Sequence, residues 1–80
     1  MDAERSEDVA RPRPASRRDR QRAEIERLVG AGHLAHAADL AHEHLAEFRD
    51  DGGIRIAVVA ALAASRESVL RARVREFTAV

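Results

Sequence analysis

Four histidines, His33, His36, His42 and His44, fall close together in an 80-residue chain, and clustered imidazoles are common donors of a zinc site. On a helix, His33 and His36 stand one turn apart and could share an ion. His42, however, points about 120° away from His36, and His44 lies some three turns beyond His33. No tetrahedral set closes within the helix, so the expectation is four solvated surface histidines and no metal. His36 beside Asp39 and Glu43 is the one place where a ring titrating near neutrality could make a pH-responsive face.

The arginines are the second chemical resource. All 14 basic residues are arginine, against 14 acidic residues, for a formal charge of +0. The absence of lysine reads mainly as the coding bias of a GC-rich bacterial genome. Arg13, Arg17, Arg18, Arg20 and Arg22 concentrate in one stretch and could track the phosphates of a nucleic acid. Glu24 and Glu26 interrupt that stretch, Asp2, Glu4, Glu7 and Asp8 precede it, and no aromatic lies within it to stack on a base. No global field points to a polyanion or an anionic membrane.

Covalent chemistry has no visible home. Cysteine is absent, which excludes disulfides and a thiolate nucleophile. There is no glycine-rich phosphate loop, no pair of carboxylates set in a cleft and no nucleophile motif. Ser65 and Ser68 have histidines elsewhere in the chain, but a hydrolase needs a larger scaffold to hold nucleophile, base and oxyanion donors in register. The expectation is a protein without catalytic activity or cofactor.

The elements that must position these residues read as helices. Hydrophobic residues make up 45% of the chain, with alanine supplying much of that, and Phe48 and Phe77 are the only aromatics. This composition suits close-packed helices and is poor in the β-branched and aromatic residues of strands. The longest apolar run, Ile56 to Ala64, is far short of the roughly 20 residues of a membrane span, and no secretory leader pattern opens the chain. A cytoplasmic protein that does not engage a membrane is expected.

In chain order, residues 1–15 alternate charge with small residues, contain both prolines and read as a disordered arm. Residues 16–80 read as one all-α domain, a three-helix hairpin or small bundle. Ser16 to Asp19 fits a capping box opening a helix over about residues 16–29, with Arg20–Glu24 and Arg22–Glu26 as pairs along its sides. Gly30-Ala31-Gly32 makes a turn. A second helix over about 33–50 carries Leu34, Ala37, Ala38, Ala41, Leu45 and Phe48 as one apolar stripe. Asp50-Asp51-Gly52-Gly53 ends it.

The third helix, about 54–77, is apolar on two sides. Ile56, Val59, Ala63, Leu70, Val74 and Phe77 share one, and Ile54, Val58, Ala61, Leu62, Val69 and Ala72 share the other. Serines at 65 and 68 could bend it, but a single helix is the preferred reading. One neighbouring hairpin covers only one side. With Ile56, Val59, Leu34, Leu45 and Phe48 inside, the free face expected to bind a protein partner or a second copy comprises Ile54, Val58, Leu62 and Val69.

The run Leu28-Val29-Gly30-Ala31-Gly32-His33-Leu34-Ala35-His36-Ala37-Ala38-Asp39-Leu40-Ala41, continuing through Leu45 to Asp51 and then Ile54 to Ala64, resembles the tetratricopeptide repeat family. Ala37 falls where such a repeat places a small residue for close helix contact, and Ala60 matches it in the next helix. Arg49 stands where the family usually has proline, and His44 replaces a small residue. The resemblance covers about half the chain, and only part of one repeat and the first helix of a next can be traced, whereas solenoids normally need about three repeats. It implies a helix-turn-helix hairpin used for protein binding, without catalysis. The function expected from the sequence is thus a small helical interaction or adaptor module; the alternative is a small nucleic-acid-binding regulator working through its arginine-rich arm and first helix.

Overall fold

The computed structural model describes residues 16–78. The arm expected over residues 1–15, including Arg13, lies outside these described residues. Five helical segments are found among them and no strand: α1 (Arg17–Gly30), α2 (Leu34–Glu47), α3 (Gly52–Ala63), α4 (Ser68–Ala72) and α5 (Arg75–Thr78). The all-α expectation holds.

Local chemistry explains the boundaries. Ser16 caps α1, its Oγ accepting the Asp19 N–H at 3.1 Å, so one of the four free donors of the first turn is satisfied by the residue expected to do so. At the other end Gly32 adopts φ +83, a conformation only glycine takes at little cost. The His33 N–H then reaches the Leu28 carbonyl at 2.9 Å and the Gly32 N–H reaches Val29 at 3.1 Å, the paired bonds of a Schellman turn. Helix α2 stops three residues before the expected Asp50, because Phe48 leaves helical geometry at φ −116, ψ 74. Asp51 then starts α3 earlier than expected by accepting the Ile54 N–H on its carboxylate at 3.4 Å.

The expected single helix over 54–77 is broken, and this corrects the sequence reading. Ala64 caps α3, Ser65 Oγ accepts the Glu67 N–H at 3.1 Å, and Glu67 is extended at φ −88, ψ 121. A serine hydroxyl competing for backbone donors is a known way to end a helix, and the Arg71 guanidinium fixes the bend by donating to the Ser65 carbonyl at 2.9 Å. The gain lies in reach. A straight helix over 24 residues would extend about 36 Å, against about 21 Å for the 14 residues of α1 or α2, and would carry Leu70 and Phe77 past any cover. Folding back brings both into the core.

That core joins Ile25 of α1, Ala38, Ala41 and Leu45 of α2, Ile54, Val58 and Leu62 of α3, Leu70 of α4 and Phe77 of α5. Val29, Leu34, Leu40, Val59 and Val74 pack around it. Buried alanines at 37, 38 and 41 give α2 a flat side against which its neighbours lie close. Arg55 donates to the Phe77 carbonyl at 3.0 Å, and Phe77 lies against the His42 ring at 4.6 Å between centroids. The C-terminal segment is thereby tied to both α3 and α2.

Candidate functional site

The orientation of α3 is the reverse of the one expected. Ile54, Val58 and Leu62, expected on a free face, are 0%, 1% and 1% exposed. Ile56, expected inside, is 70% exposed, and Val59 and Phe48 are half-buried. Of the four residues named for a partner, Val69 alone faces solvent, at 66% exposure. The periodicity correctly marked two apolar sides, but α1, α2 and the returning C-terminal segment cover the Ile54 side. The outer side of α3 is left with Gly52, Gly53, Ile56, Ala57, Ala60, Ala63 and Ala64 exposed. None of these residues is charged, and the Arg22 guanidinium lies beside Gly53 at the N-terminal end of the face.

The second feature is a buried polar junction that sequence reasoning missed. His44, expected on the solvated surface, is 0% exposed. Its Nδ1 lies 2.7 Å from Gln21 Oε1 and its Nε2 lies 2.7 Å from Asp51 Oδ2. Asp51 is itself 4% exposed, and Arg22 Nε and Arg18 Nε approach the same Oδ2 at 3.3 and 3.9 Å. The Arg22 Nε–H is not aligned for a hydrogen bond and is buried without an acceptor among the described residues. Arg18 spreads over the Phe48 ring, 5.6 Å from its centroid. One imidazole therefore links α1, the end of α2 and the cap of α3. The signal was available: His44 follows Ala37 by two helical turns, within about 20° of it around the helix.

Burial alone would raise the Asp51 carboxyl, but the His44 hydrogen bond, the Ile54 N–H and the Arg22 charge outweigh it and hold the group below the usual carboxylate range. Its stabilising contribution is therefore complete above the unfolded-state value of about 4 and is lost as pH falls through the lower folded value. We expect stability to decline with acid in this window. Asp51→Asn should be less stable at neutral pH and show a flatter decline, measured by urea unfolding between about pH 2 and pH 6.

The arginines named for phosphate are largely committed within the chain. Arg17 pairs with Glu47 at 3.2 Å, Arg18 contacts Asp50 at 3.4 Å, and Arg22 faces Asp51 rather than Glu26. Glu24 pairs with Arg27 at 2.6 Å, and Arg20 sits exposed on α1. His42 bonds Glu76 at 2.6 Å, and Arg73 bridges Glu76 and Asp39 at 3.0 Å each. Arg73 and then His42 hold the Glu76 carboxyl low. His33 and His36 are exposed, and Asp39 is turned toward Arg73 rather than reserved for His36. Among the described residues no three His, Asp or Glu side chains converge as a metal site.

Among the described residues these features define a small all-α domain with a polar internal junction and an outer helix face of glycine, alanine and isoleucine. No helix of the described residues is long and apolar enough to cross a membrane. No protein-family model, curated protein or solved structure matches the chain.

Proposed function

We propose that this chain is a non-catalytic protein-docking module whose contact surface is the outer face of α3. The observation that carries this reading is Ile56, 70% exposed on a helix side made of uncharged residues. A helix apolar around most of its circumference belongs in an interior or against a partner, and here one side is covered by the chain's own core while the other is bare. Val69, also exposed, adds a second aliphatic contact beyond the bend. The likeness of Leu28 to Ala41 and of Ile54 to Ala64 to tetratricopeptide hairpins supports the same reading, since those hairpins bind proteins. The junction around His44 offers no rival site, because a ring without solvent exposure has no route to a substrate.

A photo-crosslinking residue placed at position 56 tests the proposal, with position 43, an exposed acidic position on α2, as its control. In an extract of the native host, position 56 is expected to form discrete protein adducts that position 43 does not. Equal, diffuse labelling at the two positions would remove the reading.

A further inference from the structure

Residues 67–78 lie on the rest of the domain as a separate piece. Helices α4 and α5 hold five and four residues and are hinged to α3 at the Ser65 bend. Their backbone hydrogen bonds run within the segment, from Leu70 and Arg71 to Glu67 and from Phe77 to Val74, so side chains fasten it to α2 and α3. Leu70 and Phe77, 8% and 2% exposed, are its apolar anchors, packed into the cluster of Leu45, Val58 and Leu62. A polar rim surrounds them. Arg73 pairs with Asp39 at 3.0 Å and donates to the Ala35 carbonyl at 3.4 Å, His42 meets Glu76 at 2.6 Å, and Arg55 donates to the Phe77 carbonyl at 3.0 Å. Apolar anchors inside a charged rim are how an amphipathic helix sits in the groove of a partner. Here receptor and ligand share one chain.

The groove is longer than the segment in it. Ala35, Asp39 and His42 follow one another at helical spacing on one side of α2 and meet Arg73, Glu76 and Phe77 in that order. The segment therefore runs parallel to α2. Ala46, the next position on that side, is exposed and with Leu45, Arg49 and Arg55 lines an open cleft beside Phe77. A second cleft, lined by His33, Leu34, Glu67 and Leu70, opens at the other end. We infer that residues 67–78 form a displaceable strap over a docking groove of α2 and α3. The groove takes an amphipathic helix of a partner protein with two large apolar side chains spaced as Leu70 and Phe77 and an acid placed as Glu76. A continuous helix would fill the clefts that two short turns leave open. The strap itself is ordered only by what it buries, and elements of that kind open ahead of the core. This groove lies on the covered side of α3, so the inference does not depend on the outer face around Ile56.

Native-state hydrogen exchange of the full chain, followed by NMR in urea below the unfolding transition, tests the strap. The amides of Leu70, Arg71, Val74 and Phe77 are expected to open together, at least about tenfold more often than those of Ala41, Leu45 and Val58. The groove is tested with a synthetic peptide of residues 66–78 added to the isotope-labelled full chain at up to about 1 mM, the range in which it competes with a tethered copy. It should shift the amides of Ala35, Asp39, His42 and Leu45, and the same peptide carrying Phe77→Ala should not. Full-length Phe77→Ala, whose own strap is weakened, should take the native peptide at least about tenfold more tightly than the native chain does; if that variant does not fold, the native chain still decides. Strap amides that open only with the core overturn the strap. A native peptide that leaves the groove amides unmoved, or acts no differently from its Phe77→Ala form, overturns the groove as a docking site.

Discussion

Replacing His44 with alanine is expected to bring the protein close to its unfolding midpoint at room temperature. The substitution removes a fully buried ring and leaves a buried acceptor, Asp51 Oδ2, and a half-buried one, Gln21 Oε1, that were each bonded to it at 2.7 Å. Breaking a buried pair by deleting one partner costs about 3–5 kcal/mol, because the remaining charge keeps its desolvation penalty. At about 0.05–0.15 kcal/mol per residue, a domain of this size holds a total of comparable magnitude. Urea unfolding followed by circular dichroism measures the loss. The double variant His44→Leu with Asp51→Asn should recover part of it, since leucine fills the space of the ring, an uncharged amide costs less to bury than an unpaired carboxylate, and asparagine retains an oxygen to cap α3. A loss for His44→Ala below about 1 kcal/mol would mean that the ring does not hold α1, α2 and α3 together.

This junction also shows where sequence patterns lose their hold. Ser16, Gly32 and the alanine stripe of α2 were legible because each is a local device: a hydroxyl within reach of a free donor, a glycine at positive φ, a repeat at helical spacing. His44 was not, because a hydropathy pattern counts imidazole as polar and places it outside. Its burial depends on Gln21 and Asp51 arriving from other elements to satisfy both ring nitrogens. The two-sided pattern of residues 54–77 was equally visible, but periodicity is indifferent to which side faces inward. That choice is made at long range, by Leu70 and Phe77 returning to the core and by Arg55 fastening the Phe77 carbonyl.

The break at Ser65 changes the argument for a partner without removing it. Two apolar sides on one long helix had required an external cover for half of them. Once the segment folds back, Leu62, Leu70 and Phe77 are shielded by the chain itself, and the large aliphatic side chains left exposed among the described residues are Ile56 and Val69. The candidate surface is therefore smaller than the sequence implied, and its centre moves from Ile54 and Val58 to Ile56 and Ala60. The arginine-rich first helix changes meaning in the same way. Arg18 and Arg22 reach toward Asp51 at the cap of α3, and a phosphate would have to draw them from a carboxylate already in place.

Phe77→Ala is expected to release the C-terminal segment and to cost about 3–5 kcal/mol, the usual range for deleting a buried phenylalanine ring. Helices α4 and α5 contain five and four residues, far too few to form by propensity in water, so their order rests on what they bury. Phe77 is the largest fully buried side chain, and the surface pairs joining Arg73, Glu76 and His42 contribute much less because exposed ion pairs are weak. Glu76→Gln should accordingly leave stability nearly unchanged. Limited trypsin digestion separates release of the segment from uniform weakening. Phe77→Ala should be cut after Arg66, Arg71 and Arg73 well before α1 and α2 are attacked, whereas Ile54→Ala, at the centre of the core, should expose all arginines together. Simultaneous cleavage everywhere in Phe77→Ala would instead make the C-terminal segment part of a single cooperative unit, with the Ser65 bend an internal corner of it.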